Sequence, residues 1–467
     1  MPDQQTRRSG ASRLPVRLAE IRATLGVAAP LAAANLAQMA MGVTDTVMVG
    51  ALGAVPLAAV GLGAGFYFIS AVVCQGVLTA VAPLAAFSLG AGDRAAALRV
   101  GGSGLILAML LGLPVIGSMM VAARLLDLLG YDHELADQIG RFLHAVAWGA
   151  PGFLGFAALR SLLSALLRTR AVMLVIAVCL PANAALNWVF IYGHFGLPRL
   201  GLVGSGYASA INQWLMFLGL AAALWGLPRP PGHRLFGGLA GIAADLRRIL
   251  RLGLPIGGIQ ALEIGVFTLS AALMGLFGAN ALAAHQIAIN CASITFMVPL
   301  GIGQAATVRV AAARGAGAPV AARRAVLVAL GLGSGIMVLS ALALWTMPRP
   351  IVGAYVAIGD PANHQLVTLA LEFLAIAAAF QIVDGTQAVA AGALRGYQDT
   401  TVPLLLAGIG YWGIGFAGGW VLAFPLGFGP VGLWWGFVLG LATVAVLLTA
   451  RVLRRARREV AVFLSLS

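Results

Sequence analysis

The sequence predicts an all-α polytopic membrane protein, with twelve transmembrane helices in two parallel six-helix repeats and a central cleft between them. Three observations carry that expectation. Hydrophobic residues make up 61% of the 467 and charged residues only 9%, more apolar surface than a soluble core of this size hides. The apolar runs reach roughly 18 to 25 residues, long enough to cross a bilayer as helices, and they lack the strict alternation of a membrane barrel. The chain also repeats itself at a shift of about 225 residues.

Windows of about 19 residues place the spans near 26–49, 58–89, 100–122, 142–160, 171–193 and 201–225, then 252–276, 284–312, 325–346, 366–394, 402–424 and 430–450. The longest runs include amphipathic ends. Glycine, 61 copies, is dense in the spans; between membrane helices small residues let backbones approach. The expected organisation is a basic cytoplasmic tail (1–25), an N-lobe (26–225), a cytoplasmic linker (226–251), a C-lobe (252–450) and a second basic tail (451–467). The end of the linker, from Ile242 to Arg251, has the pattern of an amphipathic surface helix.

All 29 basic residues are arginine, and their placement explains the net charge of +14. Only Arg124, Arg141, Arg199 and Arg349 fall on one side of the predicted spans, and the other 25 lie on the tails or in and beside the alternate connections. That bias orients both termini toward the cytoplasm. It reads as a topology signal and not as a nucleic-acid footprint.

Cys74, Cys179 and Cys291 are odd in number and lie within spans, so they read as small buried residues. The six histidines show no metal-ligand spacing, and GLGAG at 61–65 lacks the Lys-Ser/Thr of a phosphate loop. No hydrolytic triad, paired-acid arrangement or acidic magnesium cluster is present in the sequence. The expectation is therefore a protein that is not an enzyme and that carries no cofactor or structural metal.

The repeat aligns LGAGDRAAALR (89–99) with RGAGAPVAARR (314–324), and Pro30 with Pro255, at a shift of 225. The shift drifts to 227 at LLR/ALR (166–168 and 393–395) and to 228 at GLVG/GPVG (201–204 and 429–432). Six spans per half make the repeats parallel, related by an axis along the membrane normal. Such an architecture is suited to moving something across the bilayer.

Four of the fifteen acids fall within spans. Glu372 is near the start of the tenth and reaches water. Asp45, Glu263 and Asp384 are deeper, where a carboxylate costs about 2.5 to 3.5 kcal/mol and usually faces a cavity or a partner. Each is suited either to exchanging a proton or sodium ion or to an interhelix hydrogen bond. Gln38 and Asp45, seven apart, share a helix face, and the repeat pairs them with Glu263 and Ser270. Asn183 and Asn187, four apart, share another face; they either pack alone or orient Asp45 and offer carbonyl oxygens to a cation. At a shift of 227 their counterparts are Gly410 and Ile414, so the second half is expected to lack this site. The tenth span spreads Gln381, Asp384 and Gln387 over about a third of its circumference.

Taken together, VTDTVMVG, IQALEIGVFTLSAALMGLFGANALAAHQIAIN and QIVDGTQAVAAGALRGYQDT resemble the multidrug and toxic compound extrusion (MATE) family, in its NorM-like bacterial branch, over residues 20–450. The resemblance implies a V-shaped pair of lobes exporting cationic or amphiphilic drugs by alternating access, in exchange for inward Na+ or H+. It implies that Asp45, Asn183 and Asn187 form the N-lobe cation site, and that Glu263 and Asp384 are the C-lobe acids. Gln286 resembles a residue lining the drug cavity, to which Gln38 and Phe296 are added; Phe296 stands where some relatives place a tyrosine near the C-lobe cation.

A flippase for lipids or lipid-linked oligosaccharides, of the same superfamily fold, is the main alternative. It is expected to line its cleft with arginines to hold a diphosphate, whereas the arginines here lie almost wholly in predicted cytoplasmic connections. A channel is expected to carry a repeated ring of like residues, and a scaffold has no use for three intramembrane acids. The expected setting is the bacterial inner membrane, multi-pass, with lipid and small organic cations or amphiphilic drugs as partners, no nucleic acid, and a monomeric state.

Overall fold

A computed structural model describes residues 13–128, 133–226 and 239–466. Residues 1–12 of the basic tail and 227–238 of the linker lie outside them. Among the described residues there is no strand. The first repeat contains α1 (Arg13–Gly50), α2 (Ala54–Leu78), α3 (Val81–Gly90), α4 (Arg94–Leu128), α5 (His133–Ala147), α6 (Ala150–Ala165), α7 (Thr169–Tyr192) and α8 (Leu202–Trp225). The second contains α9 (Leu239–Gly275), α10 (Ala279–Gly315), α11 (Pro319–Thr346), the short α12 (Pro348–Gly353) and α13 (His364–Gly396). It then continues through α14 (Thr401–Gly408), a π-helical turn (Ile409–Phe416), α15 (Ala417–Ala423) and α16 (Gly429–Leu466).

Among the described residues, eleven helices are long and apolar enough to cross a membrane, and twelve if α5 and α6 make one span. That pair is bent by 46°. The predicted run 142–160 crosses the break, which the sequence Trp148–Gly149–Ala150–Pro151 accounts for: proline lacks an N–H and is favoured only in a first turn. The Trp148 carbonyl accepts instead from Trp214 Nε1 on α8 at 3.0 Å. At the end of α7, Gly193 takes φ 75°, and a side chain there would meet the Arg199 backbone nitrogen at 2.7 Å. Glycine alone allows both.

The segment Ile242–Arg251 is helical but is not a separate surface helix, because α9 runs through it without a break. Pro255 lies inside that helix, as Pro30 lies inside α1. The basic stretch 451–466 continues α16 without a break. Arg451 pairs bidentately with Asp399 at 2.8 and 3.1 Å, and Arg455 reaches the same carboxylate at 3.4 Å. The ring of Tyr397 lies under both Arg314 and Arg455.

The chain divides into two compact units, Ala33–Ala261 and Met1–Ala32 with Leu262–Ser467, here the N unit and the C unit. The division falls inside α1 and α9, the helices that lead the two repeats, and small residues explain it. A Cβ on Gly76 of α2 would lie 2.7 Å from Gly257 Cα, so the start of α9 packs into the N unit. A Cβ on Gly301 of α10 would lie 2.8 Å from the Ala32 nitrogen, so the start of α1 packs into the C unit. Gly76 and Gly301 are 225 apart, as are Ala32 and Gly257. The sequence repeat thus recurs as a repeated helix contact. Glu20, paired with Arg309 at 2.6 Å, also ties α1 into the C unit.

Within the C unit, α16 packs on the α14–π–α15 segment through glycines. A Cβ on Gly436 would lie 2.6 Å from the Gly415 carbonyl oxygen, and one on Gly440 would lie 2.6 Å from Gly415 Cα. Backbone contacts of this kind cannot give way as a side chain can. Gly436→Ala is therefore expected to cost about 1 to 3 kcal/mol and to lower the unfolding temperature of the detergent-solubilised protein. An unchanged midpoint would show that these helices part freely.

Candidate ion sites in the two units

In the N unit, Asp45 lies five residues before the end of α1 and accepts from three side chains. Asn183 Nδ2 and Asn187 Nδ2 on α7 each donate to Oδ1 at 2.6 Å, and Ser209 Oγ on α8 donates to Oδ2 at 3.1 Å. Helical spacing explains the α7 pair: residues four apart stack on one face, and Asn187 Nδ2 also donates to the Asn183 carbonyl at 3.0 Å. Both asparagines are buried, and Asn187 Oδ1 has no hydrogen-bond partner. Carboxylate, hydroxyl and amide oxygens are the ligands that a hard cation takes. Asp45, Asn183 and Asn187, separated by up to 142 residues, therefore come together. Ser209 joins them without having been foreseen, since a lone serine in an apolar helix carries no signal.

Gln38 does not join that cluster. Its Oε1 accepts from Arg160 Nη1 at 2.7 Å, while Arg160 Nη2 donates to Asn35 Oδ1. Arg160, which the hydropathy windows place at the end of a span, lies inside α6 and is 9% exposed.

In the C unit, Asp384 on α13 is 7% exposed, and Glu263 on α9 is partly buried. The two carboxylates are close enough to interact electrostatically, and Glu263 also feels Arg395. Gln387 Nε2 donates to Asp384 Oδ1 at 3.5 Å, and its Oε1 accepts from Tyr411 Oη at 3.0 Å. Trp412 Nε1 donates to the Leu262 carbonyl at 3.1 Å, fixing the backbone beside Glu263. Tyr411 and Trp412 both lie on the π-helical turn, whose wider coil takes in an extra residue. At a shift of 228, Tyr411 is the counterpart of Asn183. It is the neighbour of Gly410, the counterpart of Asn183 at a shift of 227.

Gln286 is exposed on α10, and Phe296 is half-buried on the same helix. It is Thr295, next to Phe296, that makes the polar contact, donating to Gln381 Oε1 at 2.9 Å. Glu372 is exposed, as expected from its place near the start of α13. No group of three or more His, Cys, Asp or Glu suited to a metal occurs among the described residues.

Two homologous repeats of membrane-spanning helices, each with at least one carboxylate set among polar partners, define a duplicated polytopic membrane protein of the transporter type. The MatE family model matches residues 30–189 and again 255–421, and the chain belongs to that family. The second match begins 225 residues after the first, at the shift read from the sequence. The chain is 45% identical over 430 residues to the multidrug resistance protein NorM of Burkholderia vietnamiensis, covering 92% of each. It is 43% identical over 446 residues to the probable multidrug resistance protein NorM of Mesorhizobium japonicum, covering 94% of each. The solved outward-facing structure of a multidrug resistance MATE family transporter of the MOP superfamily shares the fold. Its TM-score is 0.84 at 20% identity, with 94% of this chain and 96% of that chain covered.

Proposed function

We propose that the chain is a secondary multidrug exporter of the bacterial cytoplasmic membrane. It moves small organic cations or amphiphilic drugs outward in exchange for inward Na+ or H+ by alternating access. The observation that carries this reading is the Asp45 carboxylate held by Asn183, Asn187 and Ser209 inside a membrane helix bundle. An intramembrane acid with polar neighbours is a functional group by default. The names of the NorM relatives support the drug as substrate and do not favour a lipid flippase. In this reading both termini face the cytoplasm, as the arginine bias suggests, and the protein works as a monomer without cofactor or nucleic acid.

The driving force is adequate. A cation moving down the membrane potential releases roughly 2.3 kcal/mol per charge per 100 mV. The drug and the ion each favour one access state, and each ligand's differential affinity for the two states couples their movements. Ethidium efflux from proteoliposomes, with Na+ and pH gradients imposed separately, tests the reading. One of the gradients is expected to drive dye movement, and failure of both would end the antiport reading.

A further inference from the structure

On α1, Asn35, Gln38, Met41 and Asp45 follow at intervals of three, three and four residues, which is one face of a helix. Each meets a polar partner within the N unit. Asp45 takes the three donors already described. Asn212 Nδ2 on α8 contacts Met41 Sδ at 3.5 Å, and the Arg160 guanidinium forks over Gln38 and Asn35. Two carbonyl oxygens along this stripe, Asn187 Oδ1 and Asn212 Oδ1, are buried and accept no hydrogen bond. A buried acceptor without a donor is costly, and it is also a ligand that a small cation or a water molecule takes readily. The stripe extends ten residues from Asp45 to Asn35, about 15 Å, or about half the thickness of the hydrocarbon layer. It ends at a guanidinium, which keeps its charge in proteins.

We propose that Arg160 is the electrostatic stop of this stripe: its fixed positive charge keeps a cation that enters at Asp45 from passing on through the N unit. The inference rests on the exchange reading above. An exchanger keeps its two gradients coupled only if the ion crosses in exchange for the drug and not alone, so a polar stripe leading inward from the ion site needs a barrier. A fixed cation serves this purpose in pores that exclude cations. At about 10 Å in an effective dielectric of about 20, it slows the entry of a like charge at least roughly tenfold. The fork bonds residues three apart, so one planar group spans a helical turn; the barrier itself is the positive charge, which lysine also carries.

The test is the drug-free leak of Na+ and H+ through proteoliposomes carrying wild type, Arg160→Gln, Arg160→Lys or Asn35→Asp. Arg160→Gln removes the charge and is expected to leak about tenfold faster than wild type, whereas Arg160→Lys stays tight. Asn35→Asp neutralises the arginine in place and is expected to leak as well, which keeps the test decisive if Arg160→Gln fails to fold. The proposal is overturned if the folded neutralised variants remain as tight as wild type, or if Arg160→Lys leaks as much as Arg160→Gln. Failure of the exchange reading shows separately, as wild-type vesicles that do not move ethidium against either ion.

Discussion

Asp45→Asn abolishes gradient-driven ethidium efflux while the protein remains folded in the membrane: this is the largest effect expected of a single substitution here. The variant is isosteric, so the packing of α1 against α7 and α8 is kept. What is lost is the negative charge. At about 4 Å and an effective dielectric of about 20, a carboxylate attracts a monovalent cation by roughly 4 kcal/mol, on the order of a thousandfold in affinity. For proton exchange the loss is complete, because an amide has no proton to exchange in this range. Ser209→Ala serves as the graded control. It removes one of three hydrogen bonds that hold the free carboxylate, worth about 1 kcal/mol, and is expected to lower the half-saturating ion concentration by about fivefold, because the ion no longer competes with that donor. Normal efflux by Asp45→Asn would return the acid to a packing role.

Asp384→Asn is expected to reduce ion-coupled efflux by at least about tenfold, and Glu263→Gln by a comparable factor. Asp384 is buried and interacts with the Glu263 carboxylate. Like charges in a dry site repel, and a cation or proton between them relieves the repulsion, so removing one carboxylate removes much of the reason to bind the ion. Tyr411→Phe should act in the same direction but more weakly, since it leaves Gln387 Oε1 without its donor and loosens the group beside Asp384. An unfilled buried acceptor costs about 1 to 3 kcal/mol. The measurement is the ion dependence of ethidium exchange in each variant. An unchanged dependence in Asp384→Asn would assign coupling to the Asp45 cluster alone.

Much of this protein is legible from its sequence. Long apolar runs mark the spans because hydrocarbon demands that backbone bonds close internally, which outside a barrel means helices. The repeat at 225 is legible because both halves keep the same helix contacts, as Gly76 on Gly257 and Gly301 on Ala32 show. Asp45, Glu263 and Asp384 stand out because a carboxylate in the membrane is expensive and therefore rare. Asn183 and Asn187 follow from spacing on a single helix.

The tertiary structure alone decided which helix faces which. Ser209 and Tyr411 cost little in an apolar helix, so nothing in the local pattern marks them; they matter because α8 and the π-helical turn bring them beside an acid or its partner. Arg160 passes for the end of a span until α6 proves to begin after the break at Gly149 and to carry the arginine inside. The division at Ala32 and Ala261 was equally hidden, since it depends on where glycine lets two backbones meet. Hydropathy and helical period fix what each segment is and which of its own residues share a face. The rotation and height of one helix against another come from packing between residues a hundred or more positions apart, and no window along the chain contains both partners.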